Sequence, residues 1–518
     1  ALDVLKASVI DDYFEKITQS TMPSLKDSLF LLHHPNKNED LSKIEAFTHI
    51  SQQRLIIEEL AAHQLSLLKI KEARKSKESK KISIKNALSN KLLSSLEFDL
   101  TSAQSRCISQ INEDLSSSEP MHRLLQGDVG SGKTIVAVFA LLQAAENNFQ
   151  TAVMAPTEIL ARQHLQNFSN YLTPLGIQIA FLSGSQNTQE RKDNLSLIEN
   201  GKAKVIIGTH ALFQENVYFE DLALVIIDEQ HKFGVHQRLS LSKKASLTPH
   251  QLVMTATPIP RSLTMSAYAD LDTSIIDELP PGRQTIETVA LSNARRDELI
   301  TKIEQISKEG RQIYWVCTLI EESEALRAES AEKTFTYLTD NLRDLKVVMI
   351  HGRLTKSEKE IIMSDFSSGK TNLLVATTVI EVGVNVPNAS LMIVENAERL
   401  GLAQLHQLRG RVGRGSEKSA CVLLYQSPLS QTAKERLDIL RQSNDGFLIA
   451  QKDLELRGPG EILGTQQTGI ASMKIADIVR DSYLLKQVGY YSSKMLEAEH
   501  TSQNALMTRW IDEEKTHY

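Results

Sequence analysis

The chain has 518 residues, 41% of them hydrophobic, and a formal net charge of −6. This length exceeds one ordinary hydrophobic core, so we expect two or three domains. No run of 18 apolar residues indicates a membrane span, and the negative charge argues against a simple cationic nucleic-acid binder, because neutralising phosphates requires Lys and Arg.

The cysteines, Cys107, Cys317 and Cys421, lie far apart. Because there is no CxxC pair, we expect neither a zinc site nor a disulfide framework, and a reducing cytoplasm fits best. The first residues, ALDVLKASVI, contain no basic segment followed by a cleavage site, so no signal peptide is predicted. The sequence also begins without Met, which suggests a piece of a longer protein.

Residues 1–97 are predicted to be a helical connecting segment with a basic linker. Residues 1–45 have the pattern of short helices and turns, and a long helical periodicity runs from about Glu45 to Lys75. Residues 69–91 carry nine basic and two acidic side chains. Two interpretations of this basic segment stay open: a solvated helix end with a linker, or a contact with nucleic acid.

The periodicity changes in residues 98–283, where short runs rich in Val and Ile alternate with helical stretches. Such runs are typical of parallel strands buried on both faces of a sheet. We therefore predict a first α/β domain here. Its expected strands are TAVMAP, KVIIGTH, LALVIIDE and QLVMTAT.

A phosphate-binding loop is predicted early in this domain, because residues 124–138, LLQGDVGSGKTIVAV, fit the pattern G-x(4)-G-K-[ST]. Glycines let backbone N–H groups approach phosphate oxygens, and the helix that follows favours an anion at its N-terminus. Lys133 is expected to reach the β- and γ-phosphates, and the Thr134 hydroxyl to bind Mg²⁺. A glycine-rich turn without a ligand is the alternative. The predicted nucleotide-binding residues of the loop are Gly127, Asp128, Gly130, Ser131, Gly132, Lys133 and Thr134.

The segment LVIIDEQH, residues 224–231, is an apolar strand that ends in two adjacent carboxylates. Asp228 is expected to hold Mg²⁺, and Glu229 to orient and deprotonate the attacking water. Acidic pairs at strand ends are also common on protein surfaces. The position of this pair, about 95 residues after the phosphate loop, favours the catalytic interpretation.

A second parallel α/β domain is predicted over residues 284–428, after LPPGRQ, which is typical of an interdomain linker. Residues 429–518 are expected to be helical, except for the loop LRGPGEILGTQQTG. The strands predicted for the second domain are RQIYWVC, KVVMIHG, TNLLVATT, LMIVEN and ACVLLY.

The segment QLHQLRGRVGRG, residues 404–415, is rich in Arg and Gly. One interpretation is a basic loop. The other has Arg411 and Arg414 reaching across a cleft to the γ-phosphate as arginine fingers, which raise the rate about 10³–10⁵-fold in known cases. The nucleotide would then lie between the two domains, and its hydrolysis would open and close the cleft.

These segments occur in the order of the superfamily 2 helicase motifs, with DEQH similar to motif II and the Arg-rich segment similar to motif VI. Three longer segments resemble the RecG family of branch-migration DNA helicases: DEQHKFGVHQR, TATPIPRSL and DGFLIAQKDLELRGPGEILGTQQTG. The last is similar to a translocation motif shared with the transcription-repair coupling factor. Shorter matches to the Q motif, motif Ia, the next strand-contacting motif, motif III and motif V are, in that order, FDLTSAQ, APTEIL, GTHAL, TATPIPR and VATTVIEVGVNVPNA.

The resemblance implies two tandem RecA-like P-loop NTPase domains, called lobe 1 (98–283) and lobe 2 (284–428). A translocation hairpin and loop with a C-terminal helical region would follow over residues 429–518. Members of this family also have an N-terminal wedge domain with an OB-like fold. Residues 1–97 show no pattern of a five-stranded barrel, so we expect a truncated sequence in which junction recognition is in doubt and the motor is complete.

Several site residues are implied by the resemblance alone. Gln104 would read adenine with Phe98 packed nearby, and His231 would relay the γ-phosphate state to Thr255 and Thr257. The alternative for His231 is a structural hydrogen bond, for the segment LRGPGE a Gly/Pro turn, and for each residue expected to contact DNA a strand-end cap. The residues expected to contact DNA phosphates are Thr157, Thr209, His210 and Thr378, and those expected to tie the translocation loop to the hairpin are Arg457 and Gln467.

The function implied is that of an ATP-dependent duplex-DNA translocase that remodels stalled replication forks and Holliday junctions. ATP and Mg²⁺ are the expected cofactors, branched DNA the expected partner, and the bacterial cytoplasm, at the nucleoid, the expected location. Single-strand DNA-binding protein is a further candidate partner, and a monomer is expected. The alternatives are a motor like the coupling factor, a nucleotide-gated DNA clamp that does not step, and an RNA helicase of the DEAD-box kind, which DEQH and the translocation loop disfavour.

Overall fold

The computed structural model describes residues 14, 22–229, 244–260, 263–264, 269–280, 283, 285–318, 324–377, 386–413, 415, 418–457 and 473–511. The predicted site residues His231, Thr378, Arg414 and Gln467 lie outside the described residues. The chain divides into two compact units. Unit 1 comprises Ala1–Lys77, Ile259–Asp272 and Leu454–Tyr518, and unit 2 comprises Glu78–Pro258 and Thr273–Asp453.

The described strands are short and rich in Val, Ile and Leu. In chain order they are β1 His122–Gly127, β2 Gln150–Met154, β3 Ile179–Leu182, β4 Val205–Gly208, β5 Leu222–Asp228, β6 His250–Thr255, β7 Asp272–Ile276, β8 Glu287–Ser292, β9 Gln312–Val316, β10 Val347–Ile350, β11 Leu373–Ala376, β12 Ala389–Val394 and β13 Ala420–Tyr425.

The α-helices separate these strands and extend the chain at both ends. In chain order they are α1 Leu25–His33, α2 Leu41–Glu45, α3 Ile50–Lys75, α4 Ala87–Ser95, α5 Ser102–Leu115, α6 Lys133–Glu146, α7 Glu158–Leu172, α8 Thr188–Glu199, α9 Arg296–Lys308, α10 Glu324–Asn341, α11 Lys356–Ser367, α12 Leu402–Arg409, α13 Gln431–Gln442, α14 Gly446–Arg457, α15 Leu485–Leu496 and α16 His500–Trp510. Among the described helices, none combines the length and the apolar character needed to cross a bilayer.

The first sheet, as far as the chain is described, has seven strands in the order β3-β4-β2-β5-β6-β1-β7. Its strands β1 to β6 pair in parallel, and every residue of β2 and β4 is buried. Strands β5, β6 and β1 are neighbours. Because parallel strands end at the same edge of a sheet, this order brings the phosphate loop after β1, Asp228 at the end of β5 and Thr255 at the end of β6 to one edge.

The second sheet has six strands within the described part of the chain, in the order β10-β11-β9-β12-β13-β8, and neighbouring strands pair in parallel. The prediction of two parallel-sheet α/β domains is thus confirmed. The sequence patterns did not single out β3, β7 and β8, which lie at sheet edges. The four predicted regions remain our proposal for the functional organisation.

Unit 1 is organised around α3. Apolar residues of α3, α15 and α16 share one core with Leu263 and Leu454. The buried guanidinium of Arg54 forms an ion pair with Glu58, whose carboxylate also accepts hydrogen bonds from Arg509 Nη1 (2.5 Å) and Trp510 Nε1 (3.2 Å). The buried charges therefore have partners, as a buried ion pair requires.

A second buried carboxylate of α3, that of Glu59, binds backbone rather than side chains. It accepts hydrogen bonds from the N–H groups of Lys474, of Ile475 (2.9 Å) and of Ala476 (2.8 Å). A carboxylate that accepts several backbone N–H groups is a strong anchor, because charge-assisted hydrogen bonds are about twice as strong as neutral ones. Glu59 thus fixes the chain segment that follows the predicted translocation loop.

The basic segment 69–91 is partly neutralised by acidic side chains. In unit 1, Lys71 lies 2.8 Å from Asp272 and Arg74 lies 3.1 Å from Asp270. In unit 2, Lys80 forms an ion pair with an aspartate near the start of β5. For these three cations the structure favours the linker interpretation over a nucleic-acid contact.

Candidate functional site

The phosphate loop connects β1 to α6 and has a backbone that demands glycine. Gly130 and Gly132 have φ of +76° and +87°, values that residues with a Cβ rarely adopt. A Cβ on Gly127 would lie 2.5 Å from Ser131 Oγ. Ser131 Oγ is itself buried and has no hydrogen-bond partner within the described part of the chain. A closely wound loop with an unused hydroxyl at a helix N-terminus fits a triphosphate.

Lys133 lies at the centre of the electrostatics of this loop. Its Nζ donates hydrogen bonds to the backbone oxygens of Gly127 (2.6 Å) and Asp128 (2.9 Å). Burial lowers the pKa of Lys133, although the charges of Glu229, Asp228 and Asp128 act in the opposite direction. The predicted catalytic cation therefore shares one site with the predicted catalytic carboxylates.

Asp228, at the end of β5, is held by a histidine that the sequence analysis did not identify. Nε2 of His164, on α7, lies 2.8 Å from Asp228 Oδ2. Burial alone would raise the pKa of Asp228, but the hydrogen bond and charge of His164, together with Lys133, bring it below the usual value. An ionised carboxylate at this position supplies oxygen ligands of the kind that Mg²⁺ prefers, and the Thr134 hydroxyl remains the predicted second ligand.

Glu229 has an unusual backbone and contacts the segment similar to motif III. Its φ is +52°, a left-handed conformation that costs a residue with a side chain about 1–3 kcal/mol. The backbone N–H of Glu229 donates to Met254 O (2.9 Å), and its Oε1 accepts from the Ala256 N–H (3.3 Å). The hydroxyls of Thr255 and Thr257, on either side of Ala256, lie 2.7 Å apart. Within the described residues, the Glu229 carboxylate itself therefore contacts the segment similar to motif III.

The side-chain amide of Gln104 forms hydrogen bonds with both the cap of α5 and the phosphate loop. Its Oε1 accepts from the Thr101 N–H (3.0 Å), which completes the N-terminal cap of α5, and its Nε2 donates to Ser131 O (2.9 Å) in the phosphate loop. Phe98, which precedes it, is exposed. The contact of Gln104 with adenine stays a prediction, and the structure gives this residue a role in holding the loop.

The segment similar to motif VI lies against the phosphate loop. His406 Nε2, on α12, is 2.7 Å from Asp128 Oδ1, and a Cβ on Gly410 would lie 2.8 Å from Val129 Cβ. Arg411 follows Gly410 directly. Arg283, in the predicted linker, donates a hydrogen bond to Val129 O. Both lobes thus contribute residues around the loop.

Three of the four residues predicted to bind DNA, Thr157, Thr209 and His210, follow β2 and β4 at the same edge of the first sheet. Thr157, after β2, is the N-cap of α7, and its Oγ1 accepts from the Leu160 N–H at 3.4 Å. Thr209, after the neighbouring β4, precedes a short 3₁₀ helix, His210–Phe213, and His210 is exposed. The capping alternative is therefore present at Thr157, and contacts of these residues with DNA remain predictions.

The predicted translocation hairpin consists of α13 and α14. Arg436 of α13 donates to the backbone oxygens of Leu400 (3.0 Å) and Glu398 (3.0 Å), just before α12. Arg457 is the last residue of α14. Four residues of the site could not be predicted from the sequence, because each contacts residues far away in the chain and no local sequence pattern indicates the contact. They are His164, Arg283, His406 and Arg436.

Comparison with known families gives three matches along the chain. Residues 101–266 match the family described as DEAD/DEAH box helicase, and residues 295–416 match the helicase conserved C-terminal domain. Residues 443–515 match the C-terminal part of domain 3 of the ATP-dependent DNA helicase RecG.

Individual relatives agree with these matches. The chain is 53% identical to the ATP-dependent DNA helicase RecG of Escherichia coli O157:H7 over 99% of its own length and 75% of that protein. It is 52% identical to the Haemophilus influenzae protein of the same name, over 94% of this chain and 71% of the relative. A structure of RecG bound to a three-way DNA junction superposes with a TM-score of 0.73 at 40% identity, covering 93% of this chain and 62% of that one.

The family matches follow the chain in the order of lobe 1, lobe 2 and the hairpin region, and the two sheets and the phosphate loop supply the structure that an ATP-driven helicase requires. The chain belongs to the RecG family of ATP-dependent DNA helicases.

Proposed function

We propose that this chain uses ATP hydrolysis to move along branched duplex DNA and thereby remodels stalled forks and Holliday junctions in recombination and repair. The observation that carries the proposal is the contact of His406 with Asp128, since it brings the segment similar to motif VI directly onto the phosphate loop. A related RecG structure holds a three-way DNA junction, which supports branched DNA as the substrate.

The nucleotide is proposed to bind at the phosphate loop, with Lys133 neutralising the β- and γ-phosphates. Thr134 and Asp228 would hold Mg²⁺, which adds positive charge to the phosphates. Glu229 would accept the proton of the attacking water. Its bond to the Ala256 N–H supports this role, because the bond fixes one carboxylate oxygen.

Arg411 and Arg414 are proposed to stabilise charge on the γ-phosphate from lobe 2. The support for Arg411 is its position directly after Gly410, which packs on Val129 of the loop. Because the same chain supplies both lobes, a second subunit is not needed to complete the site. We therefore propose that the protein is a monomer, and light scattering would test this oligomeric state. We also propose that it acts at the nucleoid in the bacterial cytoplasm, with single-strand DNA-binding protein as a candidate partner.

The experiment that tests the function compares ATP hydrolysis with forked duplex, plain duplex, single-stranded DNA and RNA. We expect forked and plain duplex to stimulate turnover, RNA to have little effect, and DNA binding to weaken steeply with added salt because phosphate contacts release counterions. A triplex-displacement assay on the same substrates measures movement. Hydrolysis without displacement on any duplex would favour the clamp, and stimulation by RNA alone would favour an RNA helicase.

Arg457→Ala is expected to leave DNA-stimulated ATP hydrolysis within about threefold of normal and to reduce triplex displacement at least about tenfold. The reason is that Arg457 ends α14, where the predicted loop begins, so its loss would separate loop movement from hydrolysis. The matched control is Arg441→Ala, which removes an exposed arginine of α13 that pairs with Asp438 at 2.9 Å. Persistent displacement by the Arg457 variant would remove the hairpin from the mechanism.

A further inference from the structure

One hydrogen bond of unit 2 lies where three functional elements meet. It joins His406 Nε2, on α12, to Asp128 Oδ1, in the phosphate loop, over 2.7 Å, and both side chains are largely shielded from solvent. The first residue of α14, Gly446, packs on the same bond. A Cβ added to Gly446 would lie 2.7 Å from His406 Nε2 and 2.9 Å from Asp128 Cγ. The phosphate loop, the helix α12 and the first residue of α14 are therefore in direct contact with one another.

The hydrogen-bond roles of the two ring nitrogens of His406 follow from their partners. Arg409 Nη2 lies 2.8 Å from His406 Nδ1, and a guanidinium can only donate hydrogen bonds. Nδ1 must therefore accept a hydrogen bond, which leaves the Nε2–H group to donate one to Asp128 Oδ1. The imidazole of His406 thus links the guanidinium of Arg409, in lobe 2, to the carboxylate of Asp128, in lobe 1.

The same helix, α12, is bound to both helices of the hairpin. Arg409 Nη1 donates to the backbone oxygens of Leu440 (2.8 Å) and Ser443 (2.8 Å), at the end of α13. The carboxylate of Asp453, on α14, accepts from the Leu402 N–H (3.2 Å) and the Ala403 N–H (3.4 Å) at the start of α12. A movement of His406 relative to the loop is therefore shared by α12 and the hairpin.

We propose that His406 is a positioning residue that transmits the state of the phosphate loop to the translocation hairpin. When nucleotide binding displaces the Asp128 carboxylate, the hydrogen-bond acceptor of His406 moves. Gly446 then moves as well, because it packs on both His406 Nε2 and the Asp128 carboxylate. The absence of a side chain at Gly446 is what permits this close approach. The inference deepens the proposed translocase function and rests on it for its biological meaning.

The test is hydrogen exchange of the backbone amides at the start of α14, with and without a non-hydrolysable ATP analogue, in the full chain. In the unsubstituted chain we expect the analogue to change exchange at residues 447–450 at least about fivefold. His406→Leu, which keeps bulk but cannot donate to Asp128, should abolish this response. His406→Gln, whose amide can donate in place of Nε2, should retain it.

Glycine substitutions provide a second and independent arm. Gly446→Ala should also abolish the nucleotide response, because the methyl group must displace His406 or Asp128. Gly489→Ala is the matched control, since Gly489 also lies within a helix and its added Cβ would meet nothing closer than 4.0 Å. Unfolding temperatures of all variants, measured in parallel, separate loss of the response from loss of the fold.

An unaltered response in His406→Leu, or no response in the unsubstituted chain with the analogue shown to be bound, would overturn the inference. Triplex displacement is measured separately on the same proteins. A chain that transmits the nucleotide state to α14 but moves no DNA would contradict the proposed function and leave the role of His406 intact, so the two failures are distinct.

Discussion

Lys133→Ala is expected to reduce DNA-stimulated ATP hydrolysis by at least about 10²-fold, the loss typical of removing one group that stabilises transition-state charge in a shielded site. The negative charges of Glu229, Asp228 and Asp128 act on the ammonium of Lys133, so the variant leaves these carboxylates without that cation and weakens the binding of a polyphosphate. Steady-state hydrolysis with saturating duplex DNA, together with nucleotide binding, measures both effects.

The control for Lys133 is Lys202→Ala, which removes an exposed lysine of lobe 1 and should leave turnover unchanged. Lys133 also donates to two loop oxygens, and losing a neutral hydrogen-bond partner costs about 1 kcal/mol of stability. The variant should therefore remain folded. Unchanged turnover in a folded Lys133→Ala variant would remove the assignment of residues 127–134 as the phosphate site.

Glu229→Gln is expected to bind ATP and DNA with nearly normal affinity and to hydrolyse ATP about 10²–10⁴-fold more slowly, the range that a general base contributes. Glutamine keeps the oxygen that accepts from the Ala256 N–H and matches glutamate in size. It cannot take a proton from water. Single-turnover hydrolysis with bound nucleotide isolates this step from binding.

A matched variant is Glu215→Gln, which alters an exposed glutamate of lobe 1 and should hydrolyse ATP at the normal rate. If Glu229→Gln kept normal single-turnover hydrolysis, the proton acceptor would have to be another group. If the variant instead lost ATP affinity, Glu229 would belong to the binding of the nucleotide rather than to the chemical step.

The fold was predictable where burial leaves a clear pattern. Strands such as β4 and β5 are buried along nearly their whole length, so their runs of Val and Ile identify them. The edge strands β7 and β8 are partly exposed, and their mixed composition does not separate them from loops. Such strands are defined by pairing with distant segments, which composition does not encode.

The site shows the same division. Lys133 and Asp228 belong to short motifs whose spacing follows from phosphate and metal chemistry. His164 and His406 do not, because they reach their carboxylates across 64 and 278 positions of the chain. Gln104 illustrates a further limit, since the motif predicts an adenine contact and the structure shows the same amide holding Ser131. Family motifs thus identify the residues that act on the nucleotide, whereas the residues that hold them in place are identified only from the structure.

The backbone anchor formed by Glu59 has a consequence for the design of variants of this motor. Leu454, on the N-terminal side of the predicted translocation loop, and Lys474 to Ala476, on its C-terminal side, are both secured in unit 1. Because these contacts lie outside the loop sequence itself, we expect substitutions within that sequence to alter DNA movement while the packing of unit 1 is kept.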